Sequence, residues 1–284
     1  MRKRLICLLF MGILAAGIFG CSPSSAAEKS PMESATTEDS LPAEPTPADT
    51  VNSDFVTEGK ETYRGFVIDN VLHSANDGEI HYHVYIPESY DGEKAYALYF
   101  TLPGYGGLYF QGVAQNLKTE DFGFEAQKYN DDMIIVTPQL SDWGETSADQ
   151  TIALVEYFLD YYNIDRARVY ASGFSGGGQT MSIAVGKRPD LFSAYLQVSS
   201  QWDGDFEAVA EEHLPVYFAI GENDEYYTAE PSKFAYRTLY ALYEKQGLSH
   251  TEIDKLLVLN IKDHSYFTER GISKRTRWRR FVCL

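Results

Sequence analysis

The stretch "ASGFSGGGQT", Ala171–Thr180, places a serine among glycines between a run of strand formers and a run of helix formers. Val169 and Tyr170 precede it, and Met181, Ile183, Ala184 and Val185 follow it. Gly186 and Pro189 mark where the helical run should stop. Ser175 therefore falls on a strand-to-helix turn. A turn that sharp strains the backbone and needs small neighbours, which Gly173, Gly176 and Gly177 supply. The pattern G-x-S-x-G at residues 173–177 projects a serine hydroxyl above the end of a sheet. A hydroxyl alone is a poor nucleophile, so the rest of the chain is read for a base, an acid to orient it, and amides to hold an oxyanion.

Outward from the turn, strand-like runs occur at 63–69, 80–86, 96–102, 133–137, 168–172, 193–199, 215–220 and 255–261. The first two follow one another without a helix and read as antiparallel. From residue 96 strands alternate with helical stretches, which predicts an α/β fold: a mostly parallel eight-stranded sheet with helices on both faces. Residues 147–162 have helical apolar spacing, with Ser147 and Gln150 placed as a capping box. Residues 232–246 read as a second helix with Ser232 as its cap.

In such a sheet ligands meet the carboxyl ends of the strands. His264 follows the last strand there, whereas His250 precedes it and should sit at the opposite end. His264 is thus the expected base. Asp224, in "AIGENDEYY" after the seventh strand, is the expected acid, with Glu222, Glu225 and Asp203 as substitutes. The oxyanion amides are expected from Gly176 and from Tyr105 in the loop "TLPGYGGLYF". Trp143, Trp202 and Tyr226 follow strands at the same edge and are expected to bind substrate. His81 and His83 share one strand face without a third ligand, so no metal and no cofactor is expected.

The 284 residues carry a formal charge of −17, which argues against nucleic acid or an anionic membrane surface as partner. Residues 1–20 read as a signal peptide: Arg2, Lys3 and Arg4, then an apolar run too short to span a bilayer. The ending "IFGC" resembles a lipobox, which implies lipid on Cys21 and an extracytoplasmic, membrane-anchored protein. Residues 21–59, rich in Ser, Thr, Pro, Glu and Ala, read as a disordered tether. That leaves residues 60–284 as one domain, with Cys283 alone and no disulfide to staple it.

"LPGYGG", "GFSGGG", "GENDEYY" and "DHSYF", in this order, resemble the α/β-hydrolase superfamily. They are most similar to its small secreted esterases, the feruloyl, acetyl and polyhydroxybutyrate depolymerase-like enzymes. Pro103 departs from the histidine that many relatives carry before the glycine. The resemblance implies a serine esterase that works through an acyl-enzyme, and the aromatic residues expected at the cleft point to carbohydrate-linked acyl groups as one substrate class. Two other readings stay open: a serine peptidase of the prolyl-oligopeptidase type, and a non-catalytic surface binding protein on a hydrolase scaffold.

The end of the chain, "GISKRTRWRRFVCL", lacks the amphipathic helix expected to close this fold. It reads either as a basic tail or as a shift of reading frame near Ser273, and the second reading would make His264 a bystander and replace the true base.

Overall fold

The computed structural model describes residues 54–269. The signal peptide, Cys21, most of the tether and the basic tail lie outside the described residues.

One sheet organises the domain. Its strands are β1 (Phe55–Thr57), β2 (Glu61–Tyr63), β3 (Phe66–Ser74), β4 (Gly78–Tyr85), β5 (Tyr96–Leu102), β6 (Met133–Pro138), β7 (Ile164–Phe174), β8 (Ala194–Val198), β9 (Val216–Gly221) and β10 (Leu257–Lys262). The order is β1-β3-β4-β6-β5-β7-β8-β9-β10, with β2 also paired to β3. The sheet thus has ten described strands rather than eight. The additional pair, β1 and β2, is three residues each, too short to show a period in sequence. Strands β1 to β4 pair antiparallel, and β4 meets β6 antiparallel. From β6 across to β10 every pairing is parallel.

The helices are α1 (Gln115–Thr119), α2 (Phe122–Ala126), α3 (Glu145–Tyr161), α4 (Gly176–Lys187), α5 (Phe206–Glu211), α6 (Glu230–Lys245), α7 (His250–Leu256) and α8 (His264–Glu269). Two of the expected caps are not used as caps. Gly144 holds the N-cap position of α3, and the Ser147 hydroxyl turns back to donate to the Asp142 carbonyl at 3.0 Å and carboxylate at 2.8 Å. Ser232 lies inside α6 and donates to the Ser200 carbonyl at 3.3 Å. A true capping box, Ser249 with Glu252, starts α7.

Alternation along the strands sorts the side chains onto two faces. Leu98, Phe100, Leu102, Ile134, Val136, Val169, Tyr195 and Phe218 join one large core under α3, α4 and α6. The opposite face carries Ala97, Met133 and Ile135, covered by the short α1 and α2 through Leu117 and Phe124. Beyond them, Phe267 of α8 packs with Phe122, Phe174, Val198 and Ala219 behind the serine turn.

The chain leaves β5 to build β6 on one side and then β7 on the other. This reversal opens a crevice past the carboxyl ends of β5 and β7, where doubly wound sheets bind ligands.

Candidate active site

Ser175 sits at φ +56° and ψ −126°, between β7 and the first residue of α4. A side chain rarely adopts this conformation, and several contacts hold it. The Ser175 N–H donates to Val198 at 3.0 Å, and the Ser175 carbonyl accepts from Gly178 N–H at 2.9 Å and the Ser200 hydroxyl at 2.7 Å. Gly177 is required for another reason: a Cβ there would stand 2.4 Å from the Pro103 carbonyl oxygen and 2.5 Å from that of Leu102. The turn and the loop after β5 are therefore pressed together, which brings Gly104 to the nucleophile. A Cβ on Gly104 would meet the Ser175 Cβ at 3.2 Å.

The two amides expected to hold an oxyanion flank this contact. Gly176 opens α4, and Tyr105 opens a short 3₁₀ turn (Tyr105–Gly107), so no carbonyl of its own helix can accept the N–H of either residue. The positive end of the α4 dipole adds to the field at Ser175.

The loop carrying Tyr105 is held from beneath by Gln139, just past β6. Its Oε1 accepts from the Ala114 N–H at 2.9 Å and lies 3.0 Å from His83 Nε2; its Nε2 donates to the Gly107 and Gly112 carbonyls at 3.1 and 2.8 Å. His83 Nδ1 accepts the Asp69 N–H at 2.9 Å, which fixes the tautomer with its proton on Nε2. Burial is the main reason the His83 pKa falls to about 4, so the ring is neutral. His81, its neighbour on the strand, stacks on Tyr109 with centroids 3.8 Å apart and lies 3.0 Å from the Asp69 carboxylate.

A cleft of about 570 Å³ opens over Ser175. Tyr105, Trp143, Phe174, Tyr226 and Tyr227 line it, together with Glu120. Trp143 and Tyr226 both line the cleft, and the Trp143 indole lies on Gly176 so closely that a Cβ there would be 2.5 Å away. Trp202 is a correction. It stacks on Phe206 at 5.2 Å, donates Nε1–H to the Gly204 carbonyl at 3.0 Å and packs against the main core instead of lining the cleft. Tyr227 also lines the cleft, beside Ser175. Burial raises its phenol pKa, and a hydrogen bond with Ser175 opposes the rise. Its hydroxyl also donates to Gln179 Oε1 at 2.9 Å, and Gln179 Nε2 donates to Asp203 at 2.8 Å.

Asp224 and His264 follow β9 and β10, parallel neighbours, and so stand at the same sheet edge as Ser175. Asp224 Oδ1 accepts the N–H groups of Tyr226 and Tyr227 at 3.0 and 2.8 Å. His264 is exposed and opens α8; among the described residues no hydrogen bond joins its ring to Asp224 or Ser175.

Glu120 has no counterpart in the sequence reading. It follows α1 and accepts the Gly104 N–H on Oε1 at 2.9 Å. Burial pushes its carboxyl up to about 8, against the smaller opposing effect of that hydrogen bond. No sequence pattern marked it, because "KTED" reads as a polar surface segment.

Residues 140–264 match the prolyl oligopeptidase family. Among solved structures, a thermostable esterase aligns with TM-score 0.60 and 21% identity, over 75% of this chain. The chain spans 59% of that esterase's length. S-formylglutathione hydrolase (FrmB) from Staphylococcus aureus aligns with TM-score 0.48 and 15% identity, over 76% of this chain and 99% of its own. Oligopeptidase B from Leishmania major aligns with TM-score 0.47 and 13% identity, over 77% of this chain and 35% of its own. No curated protein matches the chain. The parallel sheet with its reversal at β5, the serine turn into α4, the match of residues 140–264 and the likeness to the thermostable esterase together give the chain the α/β-hydrolase fold.

Proposed function

We propose that this protein is a serine hydrolase that cleaves carboxylic esters. The observation that carries the reading is Ser175, held at a positive φ at the N-terminus of α4 and facing the Gly104–Gly107 loop across the cleft. In this reading the Ser175 hydroxyl attacks the ester carbonyl carbon. His264 takes the proton and passes it to the departing alkoxide, which leaves as the alcohol. The Gly176 and Tyr105 N–H groups hold the oxyanion. Water, with His264 as base, then attacks the acyl-enzyme and releases the acid. Asp224 orients His264: two amides occupy one of its oxygens, and the other serves an imidazole N–H. Lipid on Cys21 would tether the enzyme outside the cytoplasm, and the aromatic cleft suits acyl groups on carbohydrates.

Hydrolysis of p-nitrophenyl acetate tests this, with Ser175→Ala expected to abolish it while leaving the fold intact. Retained turnover in the variant would remove Ser175 as nucleophile. The match of residues 140–264 to the prolyl oligopeptidase family favours a second reading, a serine peptidase at the same site. Cleavage of peptide amides in preference to esters would select it.

A further inference from the structure

We propose that Glu120 and the aromatic walls around it form a subsite for a positively charged substrate group, an ammonium on the acyl or the alcohol part. This rests on reading the cleft as the site where the ester is held. Five aromatic side chains line the cleft, and no Lys or Arg does so among the described residues. Tyr105 meets Trp143 edge-on at 5.8 Å, so two of these rings form one supported wall. Aromatic faces attract a cation through their quadrupole, the more so when water is excluded. Among the described residues Glu120 is the only carboxyl in the lining, and its hydrogen-bond partner there is the Gly104 N–H, on Oε1.

A half-buried carboxyl without a cation is costly to ionise, and a ligand cation placed beside it would offset that cost. Its direct neighbours are the Gly104 amide and the Tyr99 phenol on β5, and Tyr105 of the following loop, Thr119 of α1, and Tyr226 and Tyr227 of the β9–α6 loop share the cleft lining with it. None is cationic. The adjacent Asp121 is occupied outside the cleft by Arg64 at 3.3 Å. The net charge of −17 also draws cations to the protein from a distance.

A cation must find Glu120 ionised. Its carboxyl, held near 8, is mostly neutral at lower pH, so affinity for a cation should rise with pH through that value. A neutral ligand should show no such rise.

The test uses the Ser175→Ala protein, in which binding is separate from turnover. The probes are the acetate esters of aminobutanol and of pentanol, equal in shape and different in charge. Titration calorimetry at pH of about 6.5 and about 8.5 should show the amine ester preferred by roughly tenfold at the higher pH, or 1.4 kcal/mol. The preference should shrink at the lower pH and vanish in Ser175→Ala with Glu120→Gln, which keeps the volume and the oxygen that meets Gly104. The pH dependence stands even where that double variant does not fold. Equal binding of the two esters, no detectable binding of the amine ester, or a preference that survives Glu120→Gln each overturns the subsite. Failure of wild-type ester turnover would instead count against the esterase reading, because this binding experiment measures no turnover.

Discussion

His83 Nε2 and Gln139 Oε1 lie 3.0 Å apart in the interior, and this contact ties the antiparallel part of the sheet to the loop that carries Tyr105. The ring is neutral in the folded protein, with its pKa lowered from 6.5 to about 4, chiefly by burial. An unfolded chain would take up a proton at the higher value. The folded state thus gains stability above pH of about 6.5 and loses it as pH falls towards about 4. Denaturant midpoints measured across that interval should drop in wild type and drop less in His83→Gln. Parallel curves for the two proteins would remove His83 as the cause.

Replacing Gln139 should reach further than stability. Gln139→Ala strips partners from the Ala114 N–H, the His83 N–H and the Gly107 and Gly112 carbonyls. Buried groups left unpaired cost about 1–3 kcal/mol each before relaxation, so a total loss of roughly 2–4 kcal/mol is expected. Because Tyr105 rides on this loop, kcat for ester hydrolysis should fall more than KM rises. A change in KM alone would mean that the loop keeps its place without Gln139.

The two glycine clusters around Ser175 predict opposite outcomes at neighbouring positions. Gly177→Ala drives a Cβ into the backbone carbonyls of Leu102 and Pro103, neither of which can move without shifting β5. It should cost roughly 2–3 kcal/mol and most of the activity. Gly106→Ala meets nothing within 4 Å and should be close to neutral in thermal stability. A silent Gly177→Ala would contradict the close approach of the turn to the loop.

What the sequence disclosed follows the length scale of each signal. β5 falls on residues 96–102 as read, because a seven-residue apolar run between polar segments admits little else. The serine turn was legible for the same reason: a local backbone need imposes local residues. Three-residue strands such as β1 carry no period and went unread. Helix α7 was partly absorbed into the last strand, although Ser249 and Glu252 spell its cap. Glu120 and Gln139 were invisible because their environment comes from distant segments: Gly104 lies 16 residues from Glu120, and His83 lies 56 from Gln139. Position after a strand put both Trp143 and Trp202 at the cleft, yet position does not set the direction of a side chain.

The two tryptophans therefore separate by experiment. Trp202→Ala removes a ring stacked within the core and should lower stability by roughly 2–3 kcal/mol with little effect on KM. Trp143, 40% exposed, covers Gly176 at the cleft wall, and its loss should alter KM at small cost in stability. The reverse pattern would place Trp202 in substrate binding after all.

Glu120 sets a final test that needs no substrate. Burial raises its carboxyl from 4.5 to about 8 in the folded protein. An acid raised by folding favours the folded state at low pH, where both forms hold the proton. That advantage is lost as pH rises from about 4.5 through about 8, because the unfolded chain ionises freely and the folded one must bury a charge. Glu120→Gln cannot ionise and keeps an oxygen for the Gly104 N–H. It should match wild type near pH 5 and exceed it above pH 8, by up to a few kcal/mol. Denaturant midpoints for both proteins at about pH 5 and about pH 9 measure the difference directly. If wild type and Glu120→Gln lose stability equally over that range, the carboxyl is already ionised at pH 5, and water or a nearby donor must be compensating its charge.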